Sequence, residues 1–259
     1  MKNRFIIIGD THGNHRVIMH RIKALKITGM ILLHVGDFGV GFAKTPQLED
    51  ESLRQLNNVL AEHDCHLYVI RGNHDDPKFF NGDYNFSNLH LLPDYSVVEV
   101  NGDKVLMVGG AISVDRGPRL SEMRVYAEMG LLRETYWRDE AFNLDEDKLT
   151  GLTDIKYVIT HSSPNFVFPI NDTNNHVNSH GGLVEHFVKL GDDKLKDDLN
   201  LERTNITRMH DILSENNQIK GWYYGHFHSS VHDNINGTTY RLLNCDEFFY
   251  VFQDNGEEA

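Results

Sequence analysis

The chain has 259 residues, enough for one large domain or two small ones with a full hydrophobic core. Its 38 aspartates and glutamates outnumber its 25 lysines and arginines, which gives a formal net charge of −13 with histidine neutral. A surface this acidic repels a phosphate backbone at long range, so we expect no extended binding of nucleic acid.

The cysteines and the amino terminus bear on cellular location. Cys65 and Cys245 form neither a Cys-x-x-Cys pair nor a disulfide framework, which favours a reducing compartment, and we expect both to be small core residues. The opening MKNRFIIIGD has too short an apolar run for a signal peptide, and no stretch approaches the about 20 apolar residues of a membrane-spanning helix. We therefore expect a cytoplasmic protein without membrane contact.

Five short apolar runs predict strands that are buried on both faces. Each is rich in β-branched or aromatic residues and ends in glycine or a polar residue: RFIIIG (4–9), MILLHVG (30–36), HLYVIRG (66–72), KYVITH (156–161) and GWYYGH (221–226).

Helical patterns separate the first three runs. The first has apolar residues at helical spacing, namely Val17, Ile18, Ile22 and Leu25. The second begins with Thr45 as N-cap and Pro46 in the first helical position, and continues with Leu53, Leu56 and Leu60. Strands that alternate with helices predict a parallel α/β beginning.

The later chain has a different pattern. Asn101-Gly102 and Asn236-Gly237 each lie between two strand-like runs, which is typical of a tight β-hairpin and hence of antiparallel pairing. We therefore expect a mixed architecture, with two sheets packed face to face and helices outside.

A polar segment at about 165–220 interrupts the strand pattern. It contains one predicted helix with the stripe Leu195, Leu199, Ile206, Met209 and Leu213. The stretch NDTNNHVNSHGG precedes this helix; its His176 and His180 are expected to be solvated, although they could reach a substrate. Since no repeat or linker divides the chain, we expect a single domain over residues 1–259 in which this segment is an insertion.

Polar residues recur just beyond the carboxyl ends of the predicted strands, the edge at which open α/β sheets build their sites. They are Asp10 and His12 in GDTHGN, Asp37 in GDFG, Asn73, His74 and Asp75 in RGNHDD, His161 in THSSP, and His226 and His228 in GHFH. Aspartate, asparagine and histidine without a thiolate suit Mn, Fe, Zn or Mg.

The spacing of these donors suggests how they converge. Residues two apart on a strand face the same way, so His226 and His228 could direct both imidazoles into one space while Phe227 points into the core. Asp10 and His12 have the same spacing. With Asp37 as a bridge, the donors suffice for two ions, the arrangement that activates water for phosphoester cleavage.

The blocks GDxH, GDxx, GNHD, H and GHxH, in this order over residues 9–228, resemble the signature of the calcineurin-like metallophosphoesterase superfamily. GGAISVDR followed by YWRDE is similar to a stretch of its small single-domain bacterial and phage members. The resemblance implies an α/β (α+β) fold, a four-layer αββα sandwich of two mixed β-sheets flanked by helices.

The same resemblance implies two divalent metal ions, with Mn²⁺ expected first and Fe, Zn, Ni or Mg as alternatives. One ion would bind Asp10, His12, Asp37 and His228, and the other Asp37, Asn73, His161 and His226. A hydroxide between the ions would attack phosphorus in line, and His74 would protonate the leaving oxygen. Asp75 would either orient His74 or cap the next segment.

Candidate substrate contacts lie around these blocks. The guanidinium groups of Arg71 and Arg116 suit two phosphate oxygens, although either arginine could instead be a surface or helix-facing residue. Trp137, with Tyr136 and Arg138, could stack on a base or an aromatic leaving group, or lie in the core.

The expected function is hydrolysis of a phosphodiester or phosphomonoester, with a diester of a nucleotide or small molecule slightly preferred. A nuclease is the second enzyme hypothesis, which the acidic surface disfavours. A protein phosphatase would need an arginine that GDFGVGF lacks, and a non-catalytic scaffold would have lost ligands that this sequence retains. Natural substrate, metal identity and oligomeric state stay open.

Overall fold

Eleven strands, six α-helices and one short 3₁₀ helix form in the parts of the chain that the computed structural model describes, residues 3–84, 86–169 and 181–252. The strands are β1 (Asn3–Ile8), β2 (Ile31–His34), β3 (His66–Val69), β4 (Leu89–Leu91), β5 (Ser96–Val100), β6 (Asp103–Val108), β7 (Ile155–Thr160), β8 (Gly221–Tyr224), β9 (Val231–Ile235), β10 (Thr238–Leu242) and β11 (Phe248–Phe252). The helices are α1 (His15–Ala24), α2 (Pro46–Glu62), the 3₁₀ helix (Pro77–Phe80), α3 (Arg116–Glu128), α4 (Glu146–Leu149), α5 (Gly181–Lys189) and α6 (Leu195–Asn216). His176 and His180 lie outside the described residues.

The sequence pattern predicts these elements well. All five apolar runs form strands, and both early helices form where expected. Thr45 caps α2 by accepting a hydrogen bond from the backbone N–H of Leu48, and Pro46 is the first helical residue. Helix α3 was not predicted because it has no apolar stripe; the one residue that it buries is Arg119. Within the described ranges, no helix combines the length and the apolar character needed to cross a membrane.

The strands form two mixed sheets. The first has the order β11-β1-β2-β3-β4, and the second has the order β5-β6-β7-β8-β10-β9. In the first sheet, β11 pairs antiparallel with β1 and the other pairs are parallel. In the second, the two predicted hairpins supply the antiparallel pairs at the edges, and both residues of each Asn-Gly turn have the left-handed backbone that such turns require.

Three buried apolar clusters lie between four successive layers. Alternation along β1 shows the arrangement, because Phe5 and Ile7 pack between the two sheets while Ile6 and Ile8 pack against α1 and α2. On the far side, Trp222 and residues of α6 form the third cluster. The predicted αββα sandwich is thereby confirmed.

Helix α6 is attached to the second sheet by charged groups as well as by its apolar stripe. Arg203 is buried, and its guanidinium donates hydrogen bonds to the carbonyls of Ser163, Pro164 and Val167, directly after β7. The neighbouring Glu202 is also buried, and burial raises its pKa to about 7. The helix therefore supports the segment that follows His161.

The two cysteines differ in environment. Cys65 is buried in the core as expected. Cys245 is exposed in the turn between β10 and β11, so the expectation that it is a core residue is wrong.

The alternation of β1 makes a quantitative test of the inter-sheet core. Ile7 is fully buried between the sheets, and Ile7→Ala should lower the free energy of unfolding by about 2 to 5 kcal/mol, because the cavity it leaves cannot close. Val97 on edge strand β5 is 42% exposed, and Val97→Ala should cost less than about 1 kcal/mol. Urea unfolding followed by circular dichroism measures both; equal losses would contradict the layer assignment.

Candidate metal centre

All seven predicted metal ligands lie close together, beyond the carboxyl ends of strands from both sheets. Four of them form an outer group, in which one ligand atom from each residue lies within 4.8 Å of the others: Asp10, His12, Asp37 and His228. The Nε2 atoms of His12 and His228 are 3.0 Å apart, and His228 Nε2 is 3.5 Å from Asp10 Oδ2.

The remaining donors form an inner group on the other side of Asp37. Asn73 Oδ1 lies 3.1 Å from His161 Nε2 and 2.9 Å from His226 Nδ1. His161 Nε2 is 3.2 Å from Asp37 Oδ1, whereas the other carboxylate oxygen, Oδ2, is 3.9 Å from His12 Nε2 in the outer group. Asp37 therefore belongs to both groups through different oxygens.

Turns, rather than strand alternation, bring these donors together. Strands β1 and β8 end at Ile8 and Tyr224, so the paired donors lie in the loops beyond them. Four donors have a left-handed backbone that non-glycine residues seldom adopt: His12 (φ 46°), Asp37 (φ 52°), His226 (φ 68°) and His228 (φ 46°). The predicted convergence is present, but its predicted cause was wrong. Phe227 packs into the core as expected.

Glycines permit the close approach of these loops. A Cβ atom on Gly225 would lie 2.1 Å from Asp10 Oδ1, and one on Gly36 would lie 2.6 Å from His161 Nδ1. A Cβ on Gly72 would lie 2.1 Å from Asp37 Oδ1. Each glycine therefore makes room for one of the candidate ligands.

Hydrogen bonds orient two inner donors. His161 Nδ1 lies 2.7 Å from the carbonyl of Val35, which can only accept, so Nδ1 keeps its proton and Nε2 is the nitrogen that can bind a metal ion once its own proton has left. Asn73 Nδ2 donates to Ser113 Oγ at 3.1 Å, which turns Asn73 Oδ1 toward the imidazoles. Second contacts of this kind fix the ligands in metal sites.

Carboxylates in the site stabilise positive charge on the groups beside them. Burial raises the pKa of Asp37, but His161 and His74 outweigh it and hold that pKa well below its usual range. Burial by itself lowers the pKa of His161, but the charge and the hydrogen bond of Asp37 outweigh burial, and the net pKa is raised to about 9. The contact with Asp10 raises the pKa of His228 to about 10.

The donor set fits divalent ions. Asp10 is fully buried, and its Oδ1 has no hydrogen-bond partner among the described residues, which is costly for a carboxylate unless a cation lies nearby. Carboxylate, amide and imidazole donors suit Mn, Fe, Zn and Mg.

Comparisons with known proteins identify the family of the chain. The family model for calcineurin-like phosphoesterases matches residues 3–230. The chain belongs to this family. The resemblance carried by the five sequence blocks is therefore confirmed, and membership makes the chain a metal-dependent phosphoesterase in the broad sense of the family.

Similar solved structures share little sequence identity with this chain. A dimetal phosphatase from Danio rerio is similar over 98% of this chain and 94% of its own, with a TM-score of 0.51 and 10% identity. A phosphopantetheinyl hydrolase from Mycobacterium tuberculosis is similar over 99% of this chain and 98% of its own, with a TM-score of 0.47 and 12% identity. No curated protein matches the sequence. The first of these likenesses supports the fold alone.

His74, the predicted acid of this family, lies beside both donor groups and contacts Arg119. The Arg119 guanidinium lies 3.0 Å from His74 Nδ1 and is itself paired with Asp115 at 2.9 Å. Burial lowers the pKa of His74 to about 4, opposed by Asp37 and assisted by Arg119. Sequence reasoning missed Arg119. The available signal was the spacing of Asp115 and Arg119, which are four residues apart, as in a helical ion pair.

Asp75 fastens two loops together and does not touch the His74 ring through a hydrogen bond. Its Oδ1 accepts from the N–H groups of Gly39 and Val40, and its Oδ2 accepts from those of Phe38 and Gly72. The capping role falls to the next residue, Asp76, which accepts from the N–H of Lys78 at the 3₁₀ helix. Asp75 therefore positions the Asp37 loop.

The two predicted phosphate contacts lie elsewhere. Arg71 is buried with its guanidinium on Asp94 and on the carbonyls of residues 139–141, and its side chain lines a separate cavity. Arg116 pairs with Asp192 in the turn after α5 and with Asp198 in α6, and so joins α3 to both segments. A phosphate contact requires a guanidinium group that is free to bind it. The guanidinium groups of Arg71 and Arg116 are instead engaged in these ion pairs.

Phe42, rather than Trp137, is the aromatic side chain next to the site. Trp137 is buried, and its ring packs edge-on against Phe42 with centroids 5.1 Å apart. Phe42 in turn stacks over His74 at 6.1 Å. Trp137 thus has the core role that the sequence left open, and it supports Phe42.

Two cavities open on either side of His74. One, of about 370 Å³, includes His12, Phe42 and His74 in its wall. The other, of about 330 Å³, includes His74, Leu183 and Phe187 together with candidate ligands of both groups. A phosphoryl group at the donors would therefore have room for substituents on two sides.

Cys245 also lies at the outer group, which the sequence did not indicate. Its Sγ and the ring nitrogens of His12 and His228 are within 4.8 Å of one another. Burial raises the pKa of Cys245, but the two imidazoles outweigh it and the net shift is downward.

Substitution of Gly225 tests how closely the outer group is packed. In Gly225→Ala the new methyl group should displace the Asp10 carboxylate and weaken Mn²⁺ binding by about 10- to 100-fold, with the fold retained. A Cβ on Gly117 of α3 would point into open space, with no neighbouring side chain within 4 Å, so Gly117→Ala is the matched control and should bind Mn²⁺ normally. Calorimetric titration and circular dichroism measure the two effects; normal affinity in Gly225→Ala would contradict the packing argument.

Metal binding should release protons. Because the pKa values of His161 and His228 lie at about 9 and 10, both rings are protonated on both nitrogens at neutral pH in the metal-free protein. A metal ion must displace these protons, so affinity should rise about tenfold per proton released for each pH unit between about pH 7 and pH 9. Titration with Mn²⁺ in buffers of different ionisation enthalpy counts the protons, and a count of zero would contradict the prediction.

Proposed function

We propose that this chain hydrolyses phosphoesters with two divalent metal ions, one at each donor group. Asp10, His12, Asp37 and His228 would hold the outer ion, and Asp37, Asn73, His161 and His226 the inner one. The observation that carries the proposal is the shared carboxylate: one oxygen of Asp37 faces the outer group and the other faces the inner group.

The chemistry divides between ions and side chains. When bound, the ions would lower the pKa of a water molecule, so that it could act as the expected hydroxide nucleophile, and would offset the negative charge of the phosphoryl oxygens. His74 would supply the proton to the leaving oxygen. Arg119 Nη2 contacts both ring nitrogens of His74, and because a guanidinium can only donate hydrogen bonds, it opposes protonation of the ring. The lowered pKa of His74 means that the imidazolium form of the ring would give up its extra proton readily to the leaving oxygen.

The cavities favour a diester with moderate substituents. His74 separates them, so each could accept one group attached to a phosphorus atom at the donors. Phe42 offers an aromatic face on one side, and Leu183 and Phe187 offer apolar surface on the other. A nucleotide or another small-molecule diester fits this description.

Other functions in the same family have less support. The net charge of −13 opposes binding of long nucleic acid, and the loop that contains Asp37 lacks the arginine expected of a protein phosphatase. A non-catalytic scaffold would tolerate loss of donors, but all seven converge here together with His74. We propose Mn²⁺ as the ion and the cytoplasm as the location.

Hydrolysis assays test the proposal directly. Chelated protein that is reconstituted with Mn²⁺ should hydrolyse bis-p-nitrophenyl phosphate faster than p-nitrophenyl phosphate and should contain two ions per chain by elemental analysis. A reversed rate ratio would indicate a monoesterase. Failure to hydrolyse either ester, with both ions bound, would favour the scaffold.

The acid role of His74 has its own readout. His74→Asn should keep both ions but lose about 100- to 10,000-fold in turnover of a diester with an alkyl leaving group, because such a group must be protonated as it departs. The loss should be much smaller for a p-nitrophenyl leaving group. His232→Asn, on exposed strand β9, is the matched control and should leave both rates unchanged. Equal losses on the two esters would remove His74 from the acid role.

A further inference from the structure

The turn that carries Cys245 is fastened to the loop that carries Asp10. The N–H of Gly9 donates to the carbonyl of Glu247, and the N–H of Asp246 donates to the carbonyl of Asp10, both at 2.9 Å. A Cβ atom on Gly9 would lie only 2.0 Å from the carbonyl oxygen of Asn244, so the two segments are in direct contact. Cys245 is therefore held at a fixed place beside the outer donors.

The thiol points at the outer group. Its Sγ lies within 4.8 Å of ring nitrogens of both His12 and His228, and the same two residues form a second cluster of that size with Asp10 and Asp37. The two clusters share the imidazoles of His12 and His228. This is the geometry expected of one metal position to which Cys245 adds a further donor.

A separate observation indicates that a cation belongs at this place. Asp10 is fully buried, and within the part of the chain that the structure describes its Oδ1 has no hydrogen-bond partner. A buried carboxylate oxygen without a partner needs a positive charge nearby. This requirement arises from Asp10 alone and does not depend on the cysteine.

We propose that Cys245 is a thiolate ligand of the outer metal position, an inference that rests on the proposed function because it requires an ion there. On binding, the S–H bond breaks, the proton passes to solvent and a bond forms between Sγ and the ion; no electron is transferred. The outer position then has oxygen, nitrogen and sulfur donors, whereas the inner position has oxygen and nitrogen alone.

The added sulfur makes the two positions chemically unequal. Thiolates bind softer ions, so the outer position should favour Zn²⁺, Co²⁺ or Cd²⁺ more strongly than the inner one. The expectation drawn from the sequence, that no thiolate takes part, would then hold for the inner position only.

Cobalt spectroscopy tests the thiolate bond without an activity measurement. Full-length protein loaded with Co²⁺ should show the near-ultraviolet charge-transfer band of a cobalt–thiolate bond. Cys245→Ser should lose the band while it retains both ions by elemental analysis, and its affinity for Zn²⁺ should fall about tenfold. Cys65→Ser is the matched control, since Cys65 is buried in the core, and it should keep the band.

The outcomes separate this inference from the proposed function. If two Co²⁺ ions bind but the wild-type band is absent, or if the band survives in Cys245→Ser, the thiolate ligand is overturned and the dinuclear centre stands. If no ion binds, the dinuclear centre itself fails. Should Cys245→Ser not fold, cadmium NMR of the wild-type protein decides: a resonance at the strongly deshielded position of a sulfur ligand supports the inference, and two resonances typical of oxygen and nitrogen ligands overturn it.

Discussion

The buried Asp37 carboxylate is the constraint on which the rest of the site depends. It is nearly inaccessible to solvent, yet burial does not neutralise it, because His161 lies 3.2 Å from one oxygen and the N–H of His74 donates to that oxygen at 2.7 Å. Its second oxygen faces His12. A single charge held between two sets of donors would allow two cations to share one ligand at short separation, as the proposed function requires.

The loops that position the donors are held by polar contacts rather than by strand pairing. Asp75 accepts four backbone N–H groups and so joins the segment after β2 to the segment after β3. Gly72 and Gly225 allow the loops to approach so closely that a methyl group at either position would collide with a candidate ligand. Strained, left-handed backbone at four donors persists only because this surrounding framework fixes it, and strain of this kind is typical of functional sites.

The two halves of the site differ in exposure and in chemistry. The His161 side chain of the inner group is fully buried and its ring is held by a backbone carbonyl, whereas the side chains of His12 and His228 in the outer group are 31% and 36% exposed. An ion in the inner position would be enclosed by protein. The outer position opens toward His74, Phe42 and Cys245, so exchange of ions and contact with substrate would occur mainly there.

The sequence determined the five apolar strands, the early helices, both hairpins and the identity of the convergent donors, but not strands β4 and β11. These features follow from periodicity, turn chemistry and the rule that parallel strands have their carboxyl ends at one edge. It also determined the family. Only the tertiary structure decided which neighbours each side chain would have. The sequence allowed Arg71 and Trp137 to contact substrate, but Arg71 pairs with Asp94 and Trp137 packs in the core. Arg119 and Cys245 belong to segments far along the chain, and tertiary packing brings them to the site. Local patterns record what a residue is, but long-range contacts determine what it can touch.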